Sequence, residues 1–184
     1  QTGAWPKQGV EWAGKNVLIV GTGSSAIQTI PEVAKTAGHL TVFQRTANYS
    51  VPAYNGPLPD HRREEVFADY PAYLDMLKHT RGGQTFELGT DLLAADFSPE
   101  EQRERLEQAW QLGRWNLQSC FRDITLNEDT NRMVADFFAE KVRGIVKDPA
   151  TAAKLIPSGY PLGTKRLCLD SDYFETFNRD NVDL

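Results

Sequence analysis

An α/β fold with a parallel sheet and a large helical insertion, incomplete at both ends, is the architecture this sequence predicts. Three observations predict it. An apolar run, Val17 to Val20, is closed by two glycines and followed by apolar residues at helical spacing. A second apolar run, Leu40 to Phe43, follows that helix. A mostly helical stretch, 57–155, then intervenes before "NVDL" at the end of the chain reads as one more strand. The bulk properties agree. With 184 residues, 40% hydrophobic and 24% charged, the chain can bury a real core as an ordinary soluble domain. Its net charge of −5 excludes a general nucleic-acid or membrane-surface binder. No apolar run approaches a membrane span and no secretory signal is present, so a cytoplasmic setting is expected. The first residue is not Met, and the chain reads as cut from something longer.

The elements follow in order. Residues 1–15 mix Gly, Pro, Trp and charge without a period and read as an ordered linker, with Trp5 and Trp12 packing on the domain. Val17 to Val20 are uniformly apolar and β-rich, as suits a parallel strand buried on both faces. From Ser24 the pattern becomes helical through Ala26, Ile27, Ile30, Val33, Ala34 and Ala37, with Gly38 as the stop. Pro31 inside this helix should cost a hydrogen bond or kink it. Leu40 to Phe43 complete a βαβ unit over 16–56, which should be parallel and right-handed. The stretch from Ala47 to Asp60, with three prolines, reads as a loop.

Within 57–155, Asp60 to Thr80 look helical with an interruption near Pro71. A helix starts with Ser98 as N-cap, Pro99 first and Glu101 in the capping-box position. Another puts Met133, Val134, Phe137, Phe138, Val142, Ile145 and Val146 on one face, and Asp148-Pro149 opens a short one. These aromatic stripes read as core. Residues 156–184 are a Pro/Gly-rich segment crossing back to the sheet, with a helical turn near Ser171 to Phe177.

The chemistry lies at the ends of the strands. "GTGSSA" matches GxGxxG/A as Gly21, Gly23 and Ala26, closing a strand and opening a helix, which makes the domain Rossmann-like and dinucleotide-binding. Gly21 allows the tight turn, Gly23 lets the backbone approach a pyrophosphate, and Ala26 is small enough for the helix to lie close to the strand. The helix N-terminus offers free N–H groups and partial positive charge to phosphates. Ser24 and Ser25 can donate to phosphate or cap the helix. A nucleophile elbow centred on Ser25 would need Gly where Ile27 stands, and no Walker GK[ST] occurs. His39, His61 and His79 show no metal-ligand spacing and read as structural; no metal site is predicted. Cys120 and Cys168 form no CxxC; reduced thiols are the expectation, one disulfide the alternative.

The second strand should carry an acid near its end if the ligand were NAD, to accept from the ribose 2′-hydroxyl. Between Glu32 and Asp60 there is no acid; the strand ends in Gln44, Arg45, Thr46. A guanidinium beside a hydroxyl pairs with a 2′-phosphate, so NADPH is the cofactor the residues suggest. Lys165 and Arg166 form a second basic pair, "GTKR", either solvated or part of the site.

Taken together, "TGAWP", "GKNVLIVGTGSSAIQTIPEVA", "LTVFQRTANYSVPA" and "IPSGYPLGTKRLCLDSDYFETFNRDNVDL" closely resemble the NADPH-binding domain of type I Baeyer–Villiger monooxygenases. The resemblance covers both ends of the chain; the helical middle fits that domain's insertion. It implies Arg45, Thr46 and Lys165 as 2′-phosphate ligands, and Gly21, Gly23, Ser24, Ser25 and Gln28 as the pyrophosphate turn. It implies Arg166 as the catalytic arginine that reaches the flavin and stabilises its peroxide anion, a task suited to a permanent cation. It further implies FAD, ketone and O2, with ester or lactone as product. The family's signature FxGxxxHxxxWP ends here in Trp5 and Pro6, but Gln1 stands at the His position. No second GxGxxG is present, so FAD would be held mainly by sequence outside these residues, in an FAD-binding domain of the same parent chain. The fragment alone should bind NADPH without full catalysis. The alternatives are the NADPH domain of another flavoprotein (an N-hydroxylating or flavin-containing monooxygenase, or a reductase) and a non-catalytic NADP-sensing module.

Overall fold

The structure, a computed structural model, describes residues 2–85, 88 and 91–184; Gln1 lies outside them. Strand β1 (Asn16–Val20) leads through the glycine turn into α1 (Ser24–Ala34), and β2 (His39–Phe43) returns parallel to β1, with Asn16 opposite His39 and Val20 opposite Phe43. After β3 (Ser50–Pro52) the chain becomes helical: α2 (Asp60–Ala68), α3 (Tyr70–Lys78), α4 (Pro99–Leu112), α5 (Asn116–Ser119), α6 (Glu128–Ile145) and α7 (Pro149–Leu155). It returns through β4 (Cys168–Asp170) and α8 (Tyr173–Thr176) to β5 (Val182–Asp183), which pairs parallel with β2. The expected closing strand at "NVDL" is therefore present, and the sheet order is β1-β2-β5.

Local chemistry explains most boundaries. Ser98 accepts from the Glu101 N–H at 3.3 Å while its own N–H donates to the Glu101 carboxylate at 2.8 Å, closing the capping box that starts α4. Asn127 and Asp148 cap α6 and α7 one way, Asn127 accepting from the Asp129 and Thr130 N–H groups and Asp148 from the Thr151 N–H. The break near Pro71 falls at Asp69, whose side chain accepts from Ala72 N–H, leaving Pro71 in the first turn of α3 where its missing N–H costs nothing. Pro31 sits buried within α1 without ending the helix. That helix stops at Ala34, before the expected Gly38. The chain instead turns so that Gly38 lies against Gly14, where a Cβ would come 2.6 Å from the Gly14 carbonyl oxygen.

One apolar cluster joins the first strands, the helices and the returning segment. Ile27, Ile30, Val33 and Ala34 on one face of α1 meet Leu40 and Val42 of β2 and Tyr173 and Phe174 of α8. Phe138 of α6 stacks edge-on with Tyr49 at 5.0 Å and Phe174 at 6.0 Å, so the aromatic stripe of α6 is core, as its spacing suggests. Cys120 and Cys168 are both free thiols; burial pushes the Cys120 thiol up to about 12. Trp12 packs against the core and meets Trp5 edge-on at 5.5 Å, while Trp5 itself stays largely exposed.

Two further expectations need correction. The loop after Thr46 is not all loop. Ser50 to Pro52 pair in parallel with Cys168 to Asp170, making a second, two-stranded sheet whose partners lie far apart in sequence. Nor is β1 buried on both faces. Leu18 is 65% exposed, Val20 84% and Phe43 of β2 53%, because among the described residues no helix covers the side of the sheet opposite α1. In this chain Leu18→Thr should therefore change stability by less than about 0.5 kcal/mol. Leu40→Ala, at a fully buried position on β2, should cost about 2–5 kcal/mol. Urea unfolding of the two variants checks the contrast; equal losses would mean that the exposed face is covered in solution.

Candidate nucleotide-binding site

The ends of β1 and β2 open into a cleft of about 640 Å³. Gly21, Gly23, Arg45, Thr46 and Lys165 all line it, bringing together residues up to 144 positions apart, and no acidic residue is among the lining side chains. Each part has a local cause. Gly21 takes φ +100°, which a residue with a Cβ adopts only under strain, and its N–H donates to Phe43 O at 2.8 Å, tying the two strand ends together. Gly23 differs. Its φ of −84° suits any residue, and nothing lies within 4 Å of where a Cβ would stand. The fold does not require glycine there, whereas a ligand approaching the backbone would.

Gly23 is also the N-cap of α1, and no side chain caps the helix. The alternative in which Ser24 or Ser25 caps α1 is thus not realised; both are exposed first-turn residues. The first-turn N–H groups remain free for an anion, with the positive end of the helix dipole behind them and no acid in that turn. Ala26 packs, half-buried, on the core. Arg45 has no ion-pair partner among the described residues, and Lys165 and Arg166 have none either.

A hydrogen-bond chain holds the cleft's loops. Thr22, buried in the glycine turn, donates from its hydroxyl to Thr46 O at 3.1 Å, and Asn48 donates from its amide to Thr22 O at 2.6 Å. Gln44 donates to Lys154 O at 2.7 Å, fastening the end of β2 to α7. Thr22, Gln44 and Asn48 line the cleft but carried no signal in the sequence, since each is a polar residue in a loop whose partner is set by the fold. Ser24, Ser25 and Ala26, in the first turn of α1, are not among the residues lining the cleft, and two further predicted residues line other cavities. Gln28, one turn into α1, lines a separate cavity of about 360 Å³ with Asp170 and Asn55. Arg166 lines a neighbouring cleft of about 490 Å³ with Trp115 and Gln118, and Lys165 stands at the border of both clefts. Among the described residues no cluster of His, Cys, Asp and Glu could hold a metal. No helix among them is long and apolar enough to cross a membrane.

Comparison with known proteins bears on this geometry. No family model matches the chain. A Baeyer–Villiger monooxygenase of Pseudooceanicola batsensis is 41% identical over 185 residues, covering 100% of this chain and 33% of that protein. Cyclohexanone 1,2-monooxygenase of an Acinetobacter species is 41% identical over 187 residues, again covering 100% of this chain and 33% of its own length.

The chain is a homologue of Baeyer–Villiger monooxygenases.

It spans about a third of the length of the relatives it matches. The fold agrees: the crystal structure of the monooxygenase OTEMO in complex with FAD and NADP superposes with a TM-score of 0.90 at 38% identity, over 97% of this chain and 34% of that one. The chain thus has the α/β architecture with parallel strands that its sequence predicts.

Proposed function

We propose that this chain is the NADPH-binding part of a flavin-dependent Baeyer–Villiger monooxygenase that converts a ketone to an ester or lactone with NADPH and O2. The observation that carries this reading is the single cleft where the glycine turn, the uncapped N-terminus of α1 and the cations Arg45 and Lys165, neither with an ion-pair partner among the described residues, converge. The residues fit NADPH. The turn at Gly21 and Gly23, with the first-turn N–H groups and the hydroxyls of Ser24 and Ser25, would hold the pyrophosphate. Arg45, Thr46 and Lys165 would hold the 2′-phosphate through charge-assisted bonds. Ala26, packed on the core, lets α1 lie close behind them.

Arg166, in the adjoining cleft, would face the flavin, and FAD would be held mainly by an FAD-binding domain of the same parent protein. FAD supplies the redox and oxygen chemistry when bound; this chain's residues bind and orient the nicotinamide cofactor and place a permanent cation beside the flavin. No nucleic-acid or membrane partner is proposed, and the setting is cytoplasmic. A full-length protein containing this chain, given NADPH, O2 and cyclohexanone, should form the lactone, seen by gas chromatography. These 184 residues alone should bind NADPH and form none. Lactone from the isolated chain, or a full-length protein that binds NADPH yet oxygenates no ketone, would overturn the reading.

A further inference from the structure

The two cations of the cleft reach it from opposite ends of the chain, Arg45 just past β2 and Lys165 on the segment before β4. An exposed lysine on a four-carbon stem samples many rotamers, and ordering it on a ligand costs entropy. Tyr160 touches both sides of this arrangement. Its hydroxyl donates to Ala47 O at 2.6 Å and lies 3.4 Å from Asn48 Oδ1, on the loop that carries Arg45 and Thr46. Its ring face lies 4.3 Å from the Lys165 ammonium, within cation–π range. The ring is fixed from a third side by Tyr49, edge-on at 5.7 Å. Through Asn48 the same contacts continue to the Thr22 carbonyl in the glycine turn, 2.6 Å away. Burial raises the Tyr160 phenol above its ordinary range, so the hydroxyl stays a donor throughout neutral pH.

We infer that Tyr160 is a positioning residue for cofactor selection: it clips the Arg45–Thr46 loop to Lys165 and so pre-sets the grip on a 2′-phosphate. The inference rests on the NADPH reading above. Tyr160 would not touch the cofactor itself. Its effect falls on the phosphorylated dinucleotide alone, because NADH has no group for Lys165 or Arg45 to hold. A residue that merely packs under Tyr49 would weaken both dinucleotides equally or neither.

Titration calorimetry of this chain with NADPH and with NADH tests it, using Tyr160→Phe and Tyr160→Leu. The phenylalanine keeps the ring under Lys165 and against Tyr49 and loses only the hydroxyl; NADPH should bind about 5-fold more weakly. The leucine loses both contacts, and the loss should be about 10- to 20-fold, with NADH changed less than about 2-fold in either variant. In a Lys165→Met background the difference between Phe and Leu should disappear, since the ring then has no ammonium to hold. A wild-type preference for NADPH that survives both substitutions, or equal losses for NADPH and NADH, would overturn the inference alone. Equal wild-type affinities for the two dinucleotides would overturn the NADPH reading and the inference together.

Discussion

Arg45→Ala should weaken NADPH binding about 10- to 100-fold and leave NADH binding within about 2-fold. The magnitude follows from charge-assisted hydrogen bonds to phosphate, each contributing about 1.5–3 kcal/mol. The selectivity follows from the geometry. Arg45 lines the cleft at the end of β2, where an acid would accept from a ribose hydroxyl, and no carboxylate among the described residues neutralises it. Lys165→Ala should act in the same direction. Arg45→Asp should go further and favour NADH, since a carboxylate there repels the 2′-phosphate and accepts from the free hydroxyl. The wild-type preference should also shrink as salt is added, because the contacts are between exposed charges. Calorimetric Kd values for both dinucleotides check each variant. An Arg45→Ala chain that retained full NADPH selectivity would remove Arg45 from the site.

The same glycine-to-alanine change should have opposite signs at two positions. Gly113 follows α4 with φ +64° and ψ −156°, a conformation that essentially only glycine adopts. A Cβ there would strike the Pro52 carbonyl oxygen and come 2.5 Å from the Tyr54 ring. The Pro52 carbonyl cannot move cheaply. Pro52 O already accepts from Arg114 N–H at 2.7 Å, and Pro52 is held in the β3–β4 pair. Backbone strain and overpacking together should cost about 4 kcal/mol in Gly113→Ala, a large fraction of a typical domain's stability. Gly144, exposed in the last turn of α6, has nothing within 4 Å of its virtual Cβ. Gly144→Ala should stabilise by about 0.5–1 kcal/mol, since alanine restricts the unfolded chain and suits a helix. Thermal unfolding separates the two. A Gly113→Ala melting point near wild type would mean that the packing at the β3–α4 junction is not as described.

What the sequence makes legible divides along the range of the interactions. Gly21, Gly23, Arg45 and Thr46 lie within one βαβ unit, so a short motif and a fixed spacing suffice to place them on one cleft. The caps at Ser98, Asn127 and Asp148 are local too; the Ser98 box and the Asp148-Pro149 start are plain in the sequence. The β3–β4 pair is not. Its strands are three residues each, one ends in a proline, and Ser50 meets a partner, Cys168, that lies 118 positions away in the sequence. Tyr160 is hidden for the same reason: its acceptor, Ala47 O, is 113 residues away, and a tyrosine in a Pro/Gly-rich segment carries no mark of it. The exposed face of β1 misleads in the other direction. Val17 to Val20 are uniformly apolar whether or not something covers Leu18 and Val20 in this chain, so composition alone implied burial. Lys165 is an intermediate case. A basic pair in an extended segment is ambiguous by spacing, and only the return of the chain beside β3 brings Lys165 to the glycine turn while turning Arg166 to the next cleft.

The most direct test of the central claim is calorimetry of the unmodified chain with NADPH and NADH in the same buffer at low salt. Binding of NADPH at least about 10-fold tighter than NADH is expected if Arg45, Thr46 and Lys165 recognise a 2′-phosphate. Equal affinities, or a preference for NADH, would contradict it.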